Sequence, residues 1–194
     1  MAKDTRKIIQ ALAYLASKQK NKTMGNMKAY KLLWLADRYH LNQTGRTITG
    51  DTYYAMPYGI VPSDAKCILE NTKTKLYNPR NYKEQFICGC GEHKFRSISE
   101  PDINVFSDSD QDALDKVLAI YGDYNAKQLS ELSHKFPEWT FYQDLIEDKE
   151  RKSSYKIDFN HFFEDAPVSE RVLFEDNPEL ISLTKELYYQ YNYR

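Results

Sequence analysis

The sequence predicts a mainly α-helical protein: a compact helical domain around a buried central helix, with a small β-hairpin or meander as the minor β component. Three observations predict this. Apolar residues recur with the period of a helix in several separate stretches. One of those stretches is apolar on nearly every side. Residues 75–106, by contrast, hold short apolar pieces broken by Gly89, Gly91 and Pro101, the pattern of short strands.

The first helix is expected over residues 4–20, where Ile8, Ile9, Leu12, Leu15 and Ala16 share a face. A polar turn at 21–25 leads to a second helix, 27–41, capped by Asn26. Leu32, Leu35, Ala36 and Tyr39 cover one side of it and Tyr30, Trp34 and Leu41 the other, leaving a narrow polar strip with Lys31 and Arg38. A helix of that kind is enclosed by others, which makes it the centre of the fold. Residues 42–50 are rich in turn formers, and 52–56 has the β-branched and aromatic content of a strand, ended by Pro57 and Gly59. Pro62 suits the first turn of a further helix through Leu69, because its missing N–H costs nothing there.

Between 75 and 106 the candidate strand pieces are 86–87, 95–98 and 103–106, with the CGCGEH segment as a turn. Ser107 and Asp110 form a capping-box-like start for a helix that buries Leu114, Val117, Leu118 and Tyr121 and stops at Gly122. Asn125 caps a shorter helix, 126–134, which Pro137 keeps from continuing. Residues 147–152 (EDKERK) are a solvated charge run, and Asn177-Pro178 begins a final helix with Leu180, Leu183, Leu187 and Tyr191 on one face. The organisation expected is a domain over 1–145 and a C-terminal extension, 146–194, packed on it.

A length of 194 residues allows one sizeable core. Tyrosine is abundant, with 16 against 2 Trp and 9 Phe, and its amphipathic ring suits interfaces as well as cores. The net charge of −1 hides a division: residues 1–46 carry ten Lys/Arg against two Asp, while 158–179 carry seven Asp/Glu against one Arg. The simplest expectation is that these regions neutralise each other. No apolar run reaches the length of a membrane span, and the first twenty residues lack a signal-peptide pattern. With three cysteines, a cytoplasmic protein with reduced thiols is expected.

Catalytic and metal chemistry find no footing. Cys88-x-Cys90-x-x-His93 spaces its cysteines too closely for a structural zinc site, and Cys67 is the only spare one, so no metal is expected. Asp37 with His40, and Ser133 with His134, read as surface, capping or helix-dipole contacts. There is no nucleophile motif, GxGxxG or phosphate-binding loop, so neither catalysis nor a cofactor is expected. Nucleic-acid binding by the basic N-terminal region is opposed by a pI near 6.4, far below that of a basic footprint.

One series of residues is distinctive. Lys31-Leu32-Leu33, Leu35-Ala36-Asp37 and His40-Leu41 are followed by Gly45-Arg46, Ile48-Thr49-Gly50-Asp51, Ala55, Tyr58-Gly59 and Val61-Pro62-Ser63. Later, Phe106-Ser107 leads into Leu114-Asp115, Tyr121-Gly122, Leu129-Ser130, Leu132-Ser133-His134 and Trp139. On these residues the chain, over roughly 8–140, resembles the Panacea domain, a family of prokaryotic and phage-associated proteins that includes antitoxins of toxin–antitoxin pairs. It departs from the family at Gly59-Ile60-Val61, where Gly-Pro-Val is usual, leaving Gly59 and Pro62 to shape the turn.

The resemblance implies a mainly helical domain that binds toxins of several folds directly and in at least one member hands its toxin to a protease. The expected function is therefore an antitoxin that neutralises a cognate toxin, the product of a neighbouring gene, with a protease as a further candidate partner. A phage or host-defence binding module or protease adaptor without a toxin is the alternative, and a DNA-binding autoregulator the third. Candidate contact residues are Arg38, Arg46, Tyr53, Tyr54 and Tyr58, which border the family block and combine two residue types enriched in interfaces. Of Tyr53 and Tyr54, alternating along a strand, one belongs in the core. The acidic segment 158–179, with Glu164, Asp165, Glu175 and Asp176, would imitate the phosphates of a toxin's nucleotide or tRNA ligand.

Overall fold

In the computed structural model, residues 5–72, 80–148, 150–170, 173–174 and 177–192 are described. α1 (Thr5–Ser17) is joined through β1 (Thr23–Gly25) to α2 (Asn26–Thr44). A hairpin of β2 (Tyr53–Met56) and β3 (Gly59–Pro62) follows, then α3 (Ser63–Leu69) and α4 (Arg80–Phe86). A second hairpin, β4 (Ile87–Gly89) and β5 (Lys94–Ser97), precedes α5 (Asp108–Tyr121), α6 (Ala126–Ser133), α7 (Pro137–Thr140) and α8 (Gln143–Glu147). The chain ends with β6 (Tyr155–Lys156), a 3₁₀ turn Phe159–Phe163 and α9 (Pro178–Asn192). The protein is mainly α with a minor β component.

α2 is the helix on which the others pack. Leu32, Leu33, Trp34, Leu35, Ala36 and Leu41 are all fully buried, so it has no solvent face over this stretch. α1, α3, α5, α6 and α9 all pack on it. Its expected polar strip is buried as well: Lys31 and Arg38 are enclosed, and each finds an acceptor inside the protein. α2 stops where Gly45 takes a φ of +75° and returns its N–H to Leu41.

Two small antiparallel sheets flank the helices, in the orders β1-β5-β4 and β3-β2-β6. β1 and β3 occupy stretches whose turn residues pointed away from strand, and both form because a partner strand completes their ladder. Pro62 thus closes β3 and caps α3 instead of starting a helix. The hairpin around CGCGEH forms as expected, whereas α4 replaces extended chain before it and 103–105 makes a 3₁₀ turn rather than a strand.

The Ser107–Asp110 capping box is present, and Asn125 caps α6 as expected, completing a second box with Gln128. β6 pairs with β2, and Ile157, Phe162 and Phe163 are buried in the common core. α9 sits differently from its sequence pattern. Thr184 is buried and Ile181 and Tyr188 pack inward, while Leu183 is 54% and Tyr191 69% exposed. The notch at Gly45, where a Cβ would lie 2.8 Å from Leu187 Cβ and from Thr184 O, selects that face.

Candidate protein-binding face

The connection between α2 and the first hairpin is strapped down by buried carboxylates. Asp37 accepts the N–H groups of Ile48 (2.8 Å) and Thr49 (3.1 Å), the Tyr53 hydroxyl (2.7 Å) and the Thr49 hydroxyl. Burial pushes its carboxyl up to about 6, against the pull of those four donors. Asp51 accepts the N–H groups of Asp64 and Ala65, both at 2.8 Å, so it caps α3 and holds the far end of the hairpin. Burial raises its pKa too.

The tip of that hairpin is held residue by residue. Trp139 Nε1 donates to the Met56 carbonyl at 2.9 Å, and the His134 ring stacks on Trp139 with centroids 4.0 Å apart. Lys31 Nζ donates to the Ile60 carbonyl at 2.7 Å. Burial lowers the Lys31 pKa well below the usual lysine range. Gly59, at φ +91°, leaves no room for a side chain: a Cβ would overlap Ser133 Oγ and lie 2.7 Å from Lys31 Nζ. Met56, Gly59 and Ile60 are therefore each anchored, while Pro57 and Tyr58 form the exposed turn between them, Tyr58 being 72% exposed.

Phe141, 64% exposed, lies two residues beyond Trp139, and Tyr58 lies two residues beyond Met56, whose carbonyl Trp139 binds. The Phe141 ring is supported by His161 at 4.3 Å and Tyr142 at 5.0 Å. The face thus offers two large aromatic rings on a braced backbone, the type of anchor that dominates interfaces.

Of the residues singled out from sequence, the structure brings Tyr53, Tyr54 and Tyr58 together on the hairpin and keeps the two arginines apart from it. Tyr54 is half-buried, opposite Lys156 in the β2–β6 ladder. Tyr53 is fully buried, with its hydroxyl on Asp37. Arg38 is also fully buried: its Nε donates to Glu138 Oε1 at 2.9 Å, its Nη2 to the Glu164 carbonyl at 2.6 Å, and its plane lies over Phe136 and Phe174. Trp34 Nε1 shares the same Glu138 oxygen. Arg38 and Tyr53 therefore shape the face from within and present no surface to a partner. Arg46 is partly exposed at the C-terminal end of α2 and pairs with Asp110, 2.9 Å away, which also takes Lys7 and His40. Burial works to raise the Asp110 pKa, and Lys7, the Ser107 N–H and Arg46 outweigh it to leave it lowered.

Phe141 and His134 were missed as members of this face. The signal was the aromatic density of FPEWTFY (136–142), more rings than a four-residue helix can bury. Among the described residues no group of three His, Cys, Asp or Glu side chains is placed to hold a metal ion, and no helix is long and apolar enough to cross a membrane.

The sequence model of one family, described as antitoxin SocA-like, Panacea domain, matches residues 30–140, which include α2, the first hairpin and α5 to α7. No curated protein and no solved structure matches the chain.

Proposed function

This chain belongs to the antitoxin SocA-like Panacea domain family, and from that premise we propose that it neutralises a cognate protein toxin, encoded by a neighbouring gene, by covering the toxin's active surface. The single observation that supports this reading best is the hairpin tip. Lys31, Gly59, Ser133 and Trp139 all lie in the matched region, and together they fix Met56, Gly59 and Ile60 on either side of the exposed Pro57-Tyr58 turn. Fixing a backbone in advance removes the ordering cost that a flexible loop would carry into a complex. Tyr58 and Phe141 would be the central anchors, Tyr54 and Arg46 peripheral contacts, and a specific complex would bury on the order of 1,600 Å² in total.

The acidic segment supports a refinement. Asp158, Glu164 and Asp165 are exposed and have no Lys or Arg partner among the described residues, so they are available to a basic surface. Glu175 and Asp176 lie outside the described residues. In this reading the carboxylates take the place of phosphates on a toxin that acts on nucleotides or tRNA.

The test is co-expression with each adjacent reading frame. One neighbour should arrest growth alone, growth should return with this chain, and the two products should co-purify. Rescue without co-purification, or no toxic neighbour at all, contradicts the proposal.

A further inference from the structure

We propose that the cavity between the α2–β2 connection, β6 and the last turns of α9 is a binding site for a planar aromatic ligand carrying an anionic group, a nucleoside monophosphate being the simplest of that class. This is independent of any protein partner. The cavity has a volume of about 360 Å³, in the range of small-ligand sites, and Tyr58 and Phe141 are not among its lining residues.

One wall is aromatic. Phe159 and Tyr188 brace each other, with ring centroids 5.6 Å apart and planes tilted by 32°. Tyr191, on the last turn of α9, lines the same cavity and is largely exposed, with no ring stacked on it among the described residues. An open aromatic face of this kind stacks on a flat base or ring of any sequence.

The charges decide the other half of the ligand. Four charged residues line the cavity: Arg46, Asp51, Lys156 and Asp158. Asp51 is occupied, since its oxygens already accept the N–H groups of Thr52, Asp64 and Ala65. Asp158 accepts the Asn160 N–H with one oxygen and keeps the other for a ligand donor such as a sugar hydroxyl or ring amine. Arg46 is neutralised by Asp110. Lys156 is exposed and makes no ion pair among the described residues. The Thr47 hydroxyl accepts from Gly50 N–H, leaving its own proton to donate. The anionic group would therefore sit on Lys156 and the Thr47 hydroxyl, with the donor end of the ligand turned to Asp158, whose own charge keeps the anion on the lysine side.

α9 contributes Tyr188, Tyr191 and Asn192 to this lining, yet Thr184 is its one buried residue. A ligand spanning Lys156 and Tyr191 would tie the end of α9 to β6, so amide exchange over 186–192 should slow when the site fills.

The experiment is calorimetric titration of the full chain with AMP and GMP, alongside adenosine, inorganic phosphate and free arginine. At least one nucleotide should bind with a Kd below about 1 mM. Adenosine and phosphate should each bind at least about tenfold more weakly, and Lys156→Ala and Tyr191→Ala should each weaken the nucleotide about fivefold or more. Neither variant should shift the thermal midpoint, and exchange in 186–192 should slow with bound nucleotide. The proposal is overturned if neither nucleotide binds, if both variants bind like the native protein, or if arginine is the ligand that binds.

Discussion

Arg38 and Tyr58 belong to the same motif-bearing region, yet one is a buried strut and the other an exposed ring. Arg38→Ala would leave Glu138 buried with no cation, a loss of about 3–5 kcal/mol by urea denaturation. Adding Glu138→Gln to Arg38→Met should recover part of that loss, because the charge is then removed in pairs. Tyr58→Ala should change stability by no more than about 0.5 kcal/mol, since the ring touches little of its own protein. Only one of these two fates is legible in the sequence. Glu138, which turns Arg38 into a core residue, lies 100 positions away, whereas the exposure of Tyr58 follows from a two-residue turn that is legible. Asp37 gives a pH prediction. Its folded carboxyl titrates near 6 against an ordinary 3.8, so the native state binds a proton the unfolded chain does not between those values. Its destabilising effect is present in full above 6 and is relieved as pH falls towards 4. The native protein should therefore gain on Asp37→Asn by up to about 3 kcal/mol between pH 7 and pH 4, measured as the difference in unfolding free energy. A difference independent of pH would contradict the assignment.

Among the elements, Gly45 and Gly59, two of the positive-φ glycines of the matched region, carry the sharpest expectations. Gly45→Ala would force a Cβ against Leu187 and Thr184 at the α2–α9 contact, and Gly59→Ala would force one into Ser133 and Lys31. Each should cost about 1–3 kcal/mol, the first with faster amide exchange in α9 and the second with loss of partner binding. Truncation after residue 145 removes β6 and the buried Phe162 and Phe163, and should abolish cooperative unfolding, which would make 1–145 and 146–194 one folding unit. Helices with local signals were legible: α5 and α6 through their capping boxes, α2 through its all-round apolarity. β1 and β3 were not, because three or four residues carry no period of their own and become strands through partners distant in sequence or across a tight turn. α9 was misread by rotation. Both of its faces carry apolar residues, and the choice between them is made by Gly45 on α2, outside the helix.

At the scale of the molecule, charge is redistributed rather than cancelled end to end. Lys7 and Arg46 meet Asp110, Arg38 meets Glu138 and Lys22 meets Glu100, so these four basic side chains of the N-terminal region are compensated from 100–138. That leaves Asp158, Glu164 and Asp165 facing outward. If they meet a basic toxin surface, Glu164→Lys with Asp165→Lys should slow association and weaken its salt dependence. An unchanged rate would remove the segment from the interface. The most direct measurement is the affinity of the proposed toxin, identified as a neighbouring product that arrests growth, for the native chain and for Tyr58→Ala, with both shown to unfold at the same denaturant concentration. A loss of about 30-fold or more is expected for the variant, as for an interface anchor. Equal affinity for the two would place the contact elsewhere and contradict the braced hairpin tip as the neutralising surface.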